Sequence, residues 1–325
     1  MTETPTRLRE YEADLVVESV DQAADGVVVL TLSHPDGDAL PPWTPGAHVD
    51  LVLTPDLVRQ YSLCSSPTDS HRLQVGVLRA EDSRGGSTFI HDNLVVGSTV
   101  LTRGPRNHFP LVASPRYLFI AGGIGVTPML PMIEEAVATG ADWQLVYGGR
   151  SRASMAFLPI LEQYGDRVTL LPRDEVDRSL SQRIDDLLGT PTSGTLVYCC
   201  GPEPLLSAVE QACTSWPDGT LHLERFHAKA SEEGQVDTSF EVVLARSGLT
   251  IQVSADESIF RAVEGVGIPV LGSCHEGVCG TCETVVLEGD VDHRDVVLND
   301  SEKASNETMM VCVSRCNGDR LVIDL

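Results

Sequence analysis

Four of the nine cysteines fall as Cys274-x4-Cys279-x2-Cys282, with Cys312 following after 29 further residues. That is the plant-type 2Fe–2S ligand spacing. Three thiolates from one short loop must wrap two irons while backbone N–H groups turn in toward the sulfurs. Gly272, Gly277 and Gly280 in the run GSCHEGVCGTC suit so tight a turn. A structural zinc is the other chemistry open to these thiols. Cys316 is left over as a small core residue or a competitor for the fourth ligand position, and His275 reads as a solvated loop histidine.

A second constellation could hold a dinucleotide. The run Ala121-Gly-Gly-Ile-Gly-Val-Thr-Pro-Met129 follows an apolar strand and opens a helix. A glycine turn there lets backbone approach a ligand, and the helix N-terminus offers free N–H groups to a pyrophosphate. Tyr147-Gly-Gly-Arg150 and Cys199-Cys200-Gly201-Pro202 end later strands on the same sheet edge, so three strand ends converge on one crevice. A third constellation suits a phosphorylated planar ring. In Arg59-Gln-Tyr61-Ser62 the alternation of a strand puts Arg59 and Tyr61 on one side. Arginine can grip a phosphate and tyrosine can stack on a ring. Ser83-Arg84-Gly85-Gly86-Ser87 precedes a short helical stretch, Thr88–Asn93, and makes another cradle of N–H groups.

These residues need particular scaffolds. Short β-branched runs broken by Pro, Gly and Asp fill the first hundred residues: Asp14–Val20, Val27–Ser33, His48–Leu53, Gln60–Leu63, Arg72–Leu78 and Thr99–Arg103. They suggest a small antiparallel barrel. From Arg116 to Glu224, strands at Tyr117–Ala121, Gln144–Tyr147, Val168–Leu171, Thr195–Cys199 and Leu221–Glu224 alternate with amphipathic helices, which implies a parallel sheet. The polar stretch Ala228–Thr238 reads as a linker. Beyond it come a hairpin, Phe240–Leu244 with Leu249–Val253, and a helix at Glu257–Gly265 that Asp256 could cap. The expected domains are 1–112, 113–228 and 239–325, with a linker at 229–238.

The chain has 325 residues and a net charge of −24, with 47 acidic against 23 basic residues. Residues 233–325 alone carry 17 acids and 6 bases, a net of −11. Such acidity disfavours nucleic acid and anionic membrane surfaces. The N-terminal run lacks the apolar core of a signal peptide, and no stretch reads as a membrane span. A cytoplasmic protein is expected, with its cysteines in metal or redox chemistry.

Taken in order, Arg59-x-Tyr61-Ser62, Gly85-Gly86-Ser87, AGGIGVTPM, CCGP and a C-terminal plant-type ferredoxin spacing resemble the phthalate dioxygenase reductase and vanillate demethylase reductase family over residues 12–325. The resemblance implies a multidomain chain: an antiparallel flavin-binding β-barrel, an α/β nucleotide-binding domain with a parallel sheet, and an α+β ferredoxin domain of β-grasp type. It implies FMN held by Arg59, Tyr61, Ser62 and the backbone of Gly76 and Val77, with the phosphate on Gly85, Gly86 and Ser87. It implies a nicotinamide nucleotide on Gly122, Gly123, Thr127, Arg150, Cys200, Gly201 and Pro202. Phe226, in Glu224-Arg225-Phe226, is placed near the flavin face, and Ser62, Cys200 and Phe226 border the reacting atoms. Cys274, Cys279, Cys282 and Cys312 become the cluster ligands. NADH is the favoured donor, although Arg150-Ser151-Arg152 could clamp the 2′-phosphate of NADPH.

The function so implied is that of an oxygenase reductase. Hydride passes from NAD(P)H to FMN, and single electrons pass through the 2Fe–2S cluster to a separate terminal oxygenase, either Rieske-type or a cytochrome P450. A monomer is the expected state. The competing readings are a stand-alone NAD(P)H oxidase or flavin reductase, which leaves the ferredoxin domain unexplained, and a non-catalytic metal-binding interaction protein.

Overall fold

The computed structural model describes residues 11–81, 83–227 and 237–325. Most of the expected linker at 229–238 therefore lies outside the described residues. The chain divides into two units, Met1–Glu224 and Arg225–Leu325.

The first unit holds two sheets. Strands β1 (Glu12–Ala24), β2 (Val27–Ser33), β3 (His48–Thr54), β4 (Leu57–Ser62), β5 (Arg72–Leu78) and β6 (Thr99–Arg106) form a six-stranded antiparallel sheet in the order β4-β3-β6-β1-β2-β5. A bridge between Leu63 and Val75 brings its two edges together, which removes the exposed edges of an open sheet. Inside lie Leu15, Val17, Leu30, Leu32, Val49, Leu51, Val75 and Val77. Helix α1 (Gly86–Asn93) follows β5 and buries Ile90 in the same core.

The second sheet of this unit is wholly parallel. Its strands are β7 (Arg116–Gly122), β8 (Asp142–Gly149), β9 (Val168–Pro172), β10 (Thr195–Cys200) and β11 (Leu221–Glu224), in the order β11-β10-β7-β8-β9. Helices α2 (Met129–Thr139), α3 (Leu158–Leu161), α4 (Ile184–Leu188) and α5 (Glu203–Ala212) connect them. Such strands are covered on both faces, and Phe119, Ile120, Leu145, Val197 and Cys199 are all fully buried. The chain runs outward from β7 to β9 and then returns to build β10 and β11 on β7's other side. The reversal opens a crevice between the loops after β7 and β10, the place where open α/β sheets bind ligands. Phenols tie the connecting segment to this sheet: Val112 donates its N–H to Tyr198 Oη at 2.8 Å, and Ser114 donates to Tyr117 Oη at 2.8 Å.

The second unit is a mixed five-stranded sheet. Strands β12 (Phe240–Leu244) and β13 (Leu249–Val253) form the expected hairpin, and helix α6 (Ile259–Gly265) follows. Ser258 caps α6, accepting from Arg261 N at 3.2 Å, where Asp256 was the sequence expectation. Next come β14 (Glu283–Glu288), β15 (Val291–Asp292), α7 (Asp300–Ser305), β16 (Thr308–Met310), β17 (Arg315–Cys316) and β18 (Arg320–Ile323). The order β13-β12-β18-β14-β16, with β12 and β18 parallel, lays α6 over a core of Phe240, Val242, Ile259, Val263, Leu321 and Ile323. Asp237, where the described residues resume after 227, lies between two guanidinium groups. Arg294 donates to it at 2.6 Å, and Arg315 Nε lies 3.7 Å from it. Arg315 is itself buried, and donates to the carbonyls of Thr238, Ser254 and Glu257.

Candidate functional site

Within the first unit, β4 sets Arg59 and Ser62 three residues apart, and α1 receives the first of them. The Arg59 guanidinium donates to the carbonyls of Val58 and Arg84, each at 2.8 Å. Its stem lies so close over the helix start that a Cβ on Gly86 would come within 2.4 Å of Arg59 Cγ. Gly85, at φ +90, supplies the left-handed turn into the helix. The first turn of α1 has no side-chain cap and no acid in it, so its N–H groups and positive dipole end are unspent. The hydroxyls of Ser83 and Ser87 stand 3.0 Å apart beside it. Arginine, unspent amides and hydroxyls together fit the phosphate of a flavin mononucleotide. Tyr61 lies against the barrel core opposite Val49, and burial pushes its phenol up, so it remains protonated.

The other end of the crevice is built from β4, β10 and β11. Ser62 is buried and donates to Glu224 Oε2 at 3.4 Å. The fully buried Cys200 thiol lies 3.8 Å from the same oxygen. Removal from water pushes the Glu224 carboxyl up to about 8, and burial first, with Glu224 beside it second, pushes the Cys200 thiol well above its ordinary range. Glu224 thus stays protonated at neutral pH and Cys200 remains a thiol. Sequence reasoning noted Glu224 only as part of Glu-x-Phe. The partner that gives it meaning, Ser62, is 162 residues away.

The glycine loops prove to be small for reasons of packing as well as approach. A Cβ on Gly125 would fall 2.3 Å from the Cys200 carbonyl oxygen, and one on Gly122 would fall 2.7 Å from Pro202 Cδ. Gly201 presses on the Gly122 backbone in return. The loops after β7 and β10 are therefore in backbone contact, and Gly123, at φ +56 with open space beside it, is the position free for a ligand. Thr127 is buried and donates its hydroxyl to the Ile124 carbonyl at 2.9 Å, while its methyl faces the barrel strand at Gly76. A small cleft of about 60 Å³ lies between Val27 and Leu78 of the barrel and Gly123, Gly149 and Arg150 of the parallel sheet. Arg150 stands at its rim, ion-paired with Glu81 at 2.7 Å. Arg152 is held by Glu162 at 3.0 Å and Glu175 at 3.3 Å. Val77 is buried in the barrel core. Phe226 follows two residues after β11, half-buried.

In the second unit the four expected cysteines share one neighbourhood. The sulfur of Cys274 interacts with those of Cys279 and Cys312, and Cys312 with Cys282. Among the described residues no three His, Cys, Asp or Glu side chains are drawn around a single point; the sulfurs neighbour one another in pairs. The Glu276 N–H donates to Cys274 Sγ at 3.3 Å, and Thr281 Oγ1 lies 3.2 Å from Cys279 Sγ. Gly277, at φ +69, could not carry a Cβ, which would fall 2.6 Å from Val313. Three thiols of one tight loop, a fourth from Cys312 and an N–H donated to Cys274 fit a 2Fe–2S cluster. Cys316 is engaged elsewhere, accepting from Gly318 N at 3.2 Å within the β15–β17 pair. His275 is exposed, with its ring edge-on to Phe260 at 4.6 Å.

A flavin-type barrel beside a parallel nucleotide sheet, with a plant-type iron–sulfur fold in the same chain, defines a pyridine-nucleotide-dependent electron-transfer reductase. Comparison with known proteins agrees. Residues 119–211 match the oxidoreductase NAD-binding domain family, and residues 242–317 match the 2Fe-2S iron-sulfur cluster binding domain family. The chain is 42% identical to the phenoxybenzoate dioxygenase subunit beta of Ectopseudomonas oleovorans, covering 96% of this chain and 97% of that one. It is 38% identical to the vanillate O-demethylase oxidoreductase of Pseudomonas sp. strain HR199, covering 96% and 99%. Phthalate dioxygenase reductase superposes with a TM-score of 0.70 at 33% identity, over 99% of this chain and 100% of that one. An intact type IV self-sufficient cytochrome P450 monooxygenase superposes at 0.91 and 42% identity; the chain spans 43% of that longer protein. The chain belongs to the phthalate dioxygenase reductase family. It is an NAD(P)H-dependent oxidoreductase, the reductase component of an oxygenase system, with FMN and a 2Fe–2S cluster as its resident groups. Among the described residues no helix is long and apolar enough to cross a membrane.

Proposed function

We propose that the chain takes hydride from NADH and feeds single electrons to a separate terminal oxygenase, Rieske-type or cytochrome P450, as a cytoplasmic monomer. The observation that carries this reading is the pairing, in one chain, of a phosphate cradle beside Arg59 with four neighbouring thiols, three from the Cys274–Cys282 loop and one from Cys312. Bound FMN supplies the conversion of one two-electron delivery into two single-electron ones. The protein's own part is to bind, orient and keep water out. Arg59 and the first turn of α1 grip the phosphate through Gly85, Gly86 and Ser87, while Tyr61, Gly76 and Val77 bound the ring. Gly122, Gly123, Gly201 and Pro202 shape the nicotinamide crevice, Thr127 braces it, and Arg150 meets a ribose or phosphate. Ser62 and Cys200 border the reacting atoms, with Glu224 holding a proton on Ser62. Cys274, Cys279, Cys282 and Cys312 bind the irons. The domain boundaries follow as 1–112, 113–228 and 239–325, joined by 229–238.

NADH is favoured over NADPH because Arg152 already faces two carboxylates, leaving little for a 2′-phosphate. The net charge of −11 over residues 233–325 supports steering toward a basic patch on the acceptor. The purified protein should carry one FMN and two irons, and NADH should bleach both chromophores. Electron delivery to the acceptor should slow as salt rises. Zinc in place of iron, or absence of flavin, would sink the reading; a salt-independent rate would remove the steering.

A further inference from the structure

NADH becomes NAD+ by giving up a hydride, and both electrons then leave singly toward the acceptor. The balance is NADH → NAD+ + 2 e− + H+, so one proton per turnover remains in the crevice and must reach solvent. Ser62 is only 6% exposed and Cys200 is fully buried, so the reacting end is closed to bulk water. Glu224 can hold that proton, but its contacts with Ser62 and Cys200 do not lead outward.

We propose that His48, with His108 beyond it, is the exit by which this proton passes from Ser62 to solvent. His48 is the direct partner of Ser62 in the β3–β4 ladder. Opposed residues put their side chains on one face with Cβ atoms roughly 4.5–5.5 Å apart. His48 is 6% exposed, and its ring centroid lies 5.8 Å from that of His108, which is exposed. The line Ser62, His48, His108 thus runs from the closed end of the crevice to the surface.

Two polar neighbours along the ladder, Asp50 and Arg106, do not offer this exit. Asp50, two residues along the same face, is fully buried and so does not itself reach solvent; its Oδ1 accepts from Arg106 and from Gln60, the latter at 2.8 Å. Arg106 is the ladder partner of His48 on its other side and does not release protons. Glu224 stands on the far side of Ser62, which donates to it. An imidazole alone in this set can take a proton on one ring nitrogen and release it from the other near neutral pH. Ser62 passes the proton to His48, His48 to His108, and His108 to water; each O–H or N–H bond broken is matched by one formed.

The inference rests on Ser62 lying at the flavin, and stopped-flow kinetics separate the two. In His48→Leu, flavin reduction by NADH should stay within about twofold, while flavin reoxidation through the cluster slows by roughly tenfold or more, as loss of a proton-transfer group does. Added imidazole should restore it. The surface variant His108→Gln should show the same pattern, more weakly, and covers the case in which His48→Leu fails to fold. A second readout needs no turnover: in the oxidised holoprotein, the ¹⁵N signal of His48 should carry an inflection from Glu224 that disappears in Glu224→Gln. Unchanged reoxidation, equal slowing of both steps, or a His48 signal blind to Glu224 overturns the exit. Failure of the wild-type protein to reduce flavin at all would strike instead at the flavin site.

Discussion

Glu224 gives the fold one pH dependence of its own. A carboxyl raised in the folded state to about 8, against 4.5 when exposed, binds a proton that the unfolded chain has already released between those values. The folded state therefore gains from Glu224 below about pH 4.5 and loses that gain as pH rises through 8. Glu224→Gln should remove this slope, so that the variant gains on the wild type by up to a few kcal/mol between the two limits. Thermal midpoints measured across pH would show it, and parallel curves would contradict it. Gly86→Ala tests the other end of the crevice. Its Cβ meets Arg59 Cγ at 2.4 Å and must push the guanidinium off the helix start. Flavin should leave the variant at lower dilution, seen as a rise in free-flavin fluorescence. That Cys274, Cys279, Cys282 and Cys312 come together was legible from spacing alone, because one loop supplies three of them. The role of Glu224 was not, because a carboxyl's surroundings are made by strands distant in sequence.

At the scale of elements, β2, β5, β11, β12 and β13 have the bounds their β-branched runs imply, since alternation and turn residues are local. Strand β1 runs longer than its apolar run, to Ala24, because two bulges let it continue beside β2. The region after Cys282 was the least legible. Its strands are two to six residues long and pair across the unit, β14 with β18 and β15 with β17, so no periodicity announces them. Helix α7 is six residues long and depends on its start. Asn299 accepts from Glu302 N at 3.0 Å, and Glu302 returns the bond to Asn299 N at 2.8 Å. Asn299→Ala should cost about 1 kcal/mol, read as a lower unfolding midpoint of the iron–sulfur unit with the barrel transition unmoved.

At the scale of the whole molecule, two-electron and one-electron chemistry occupy separate units of one chain. Cys279→Ser should lose the visible absorbance of the cluster yet keep NADH-dependent ferricyanide reduction at the flavin. Loss of both together would show that the units do not work as a relay of independent parts. The three-part architecture was legible because each part has its own pattern: alternation in the barrel, strand–helix rhythm in the nucleotide fold, and thiol spacing in the third. How an electron crosses between the units is written in no local pattern.

Asp237 carries a practical corollary. Because Arg294 and Arg315 both grip it, and Arg315 reaches on to Thr238, Ser254 and Glu257, the iron–sulfur fold is stitched shut at its own doorstep. A fragment starting at Asp237 should be a portable red-brown protein, ready to be grafted behind another flavoprotein. One trimmed to Phe240 should leave Arg315 without its carboxylate and Arg294 with Asp292 alone, and be the poorer graft.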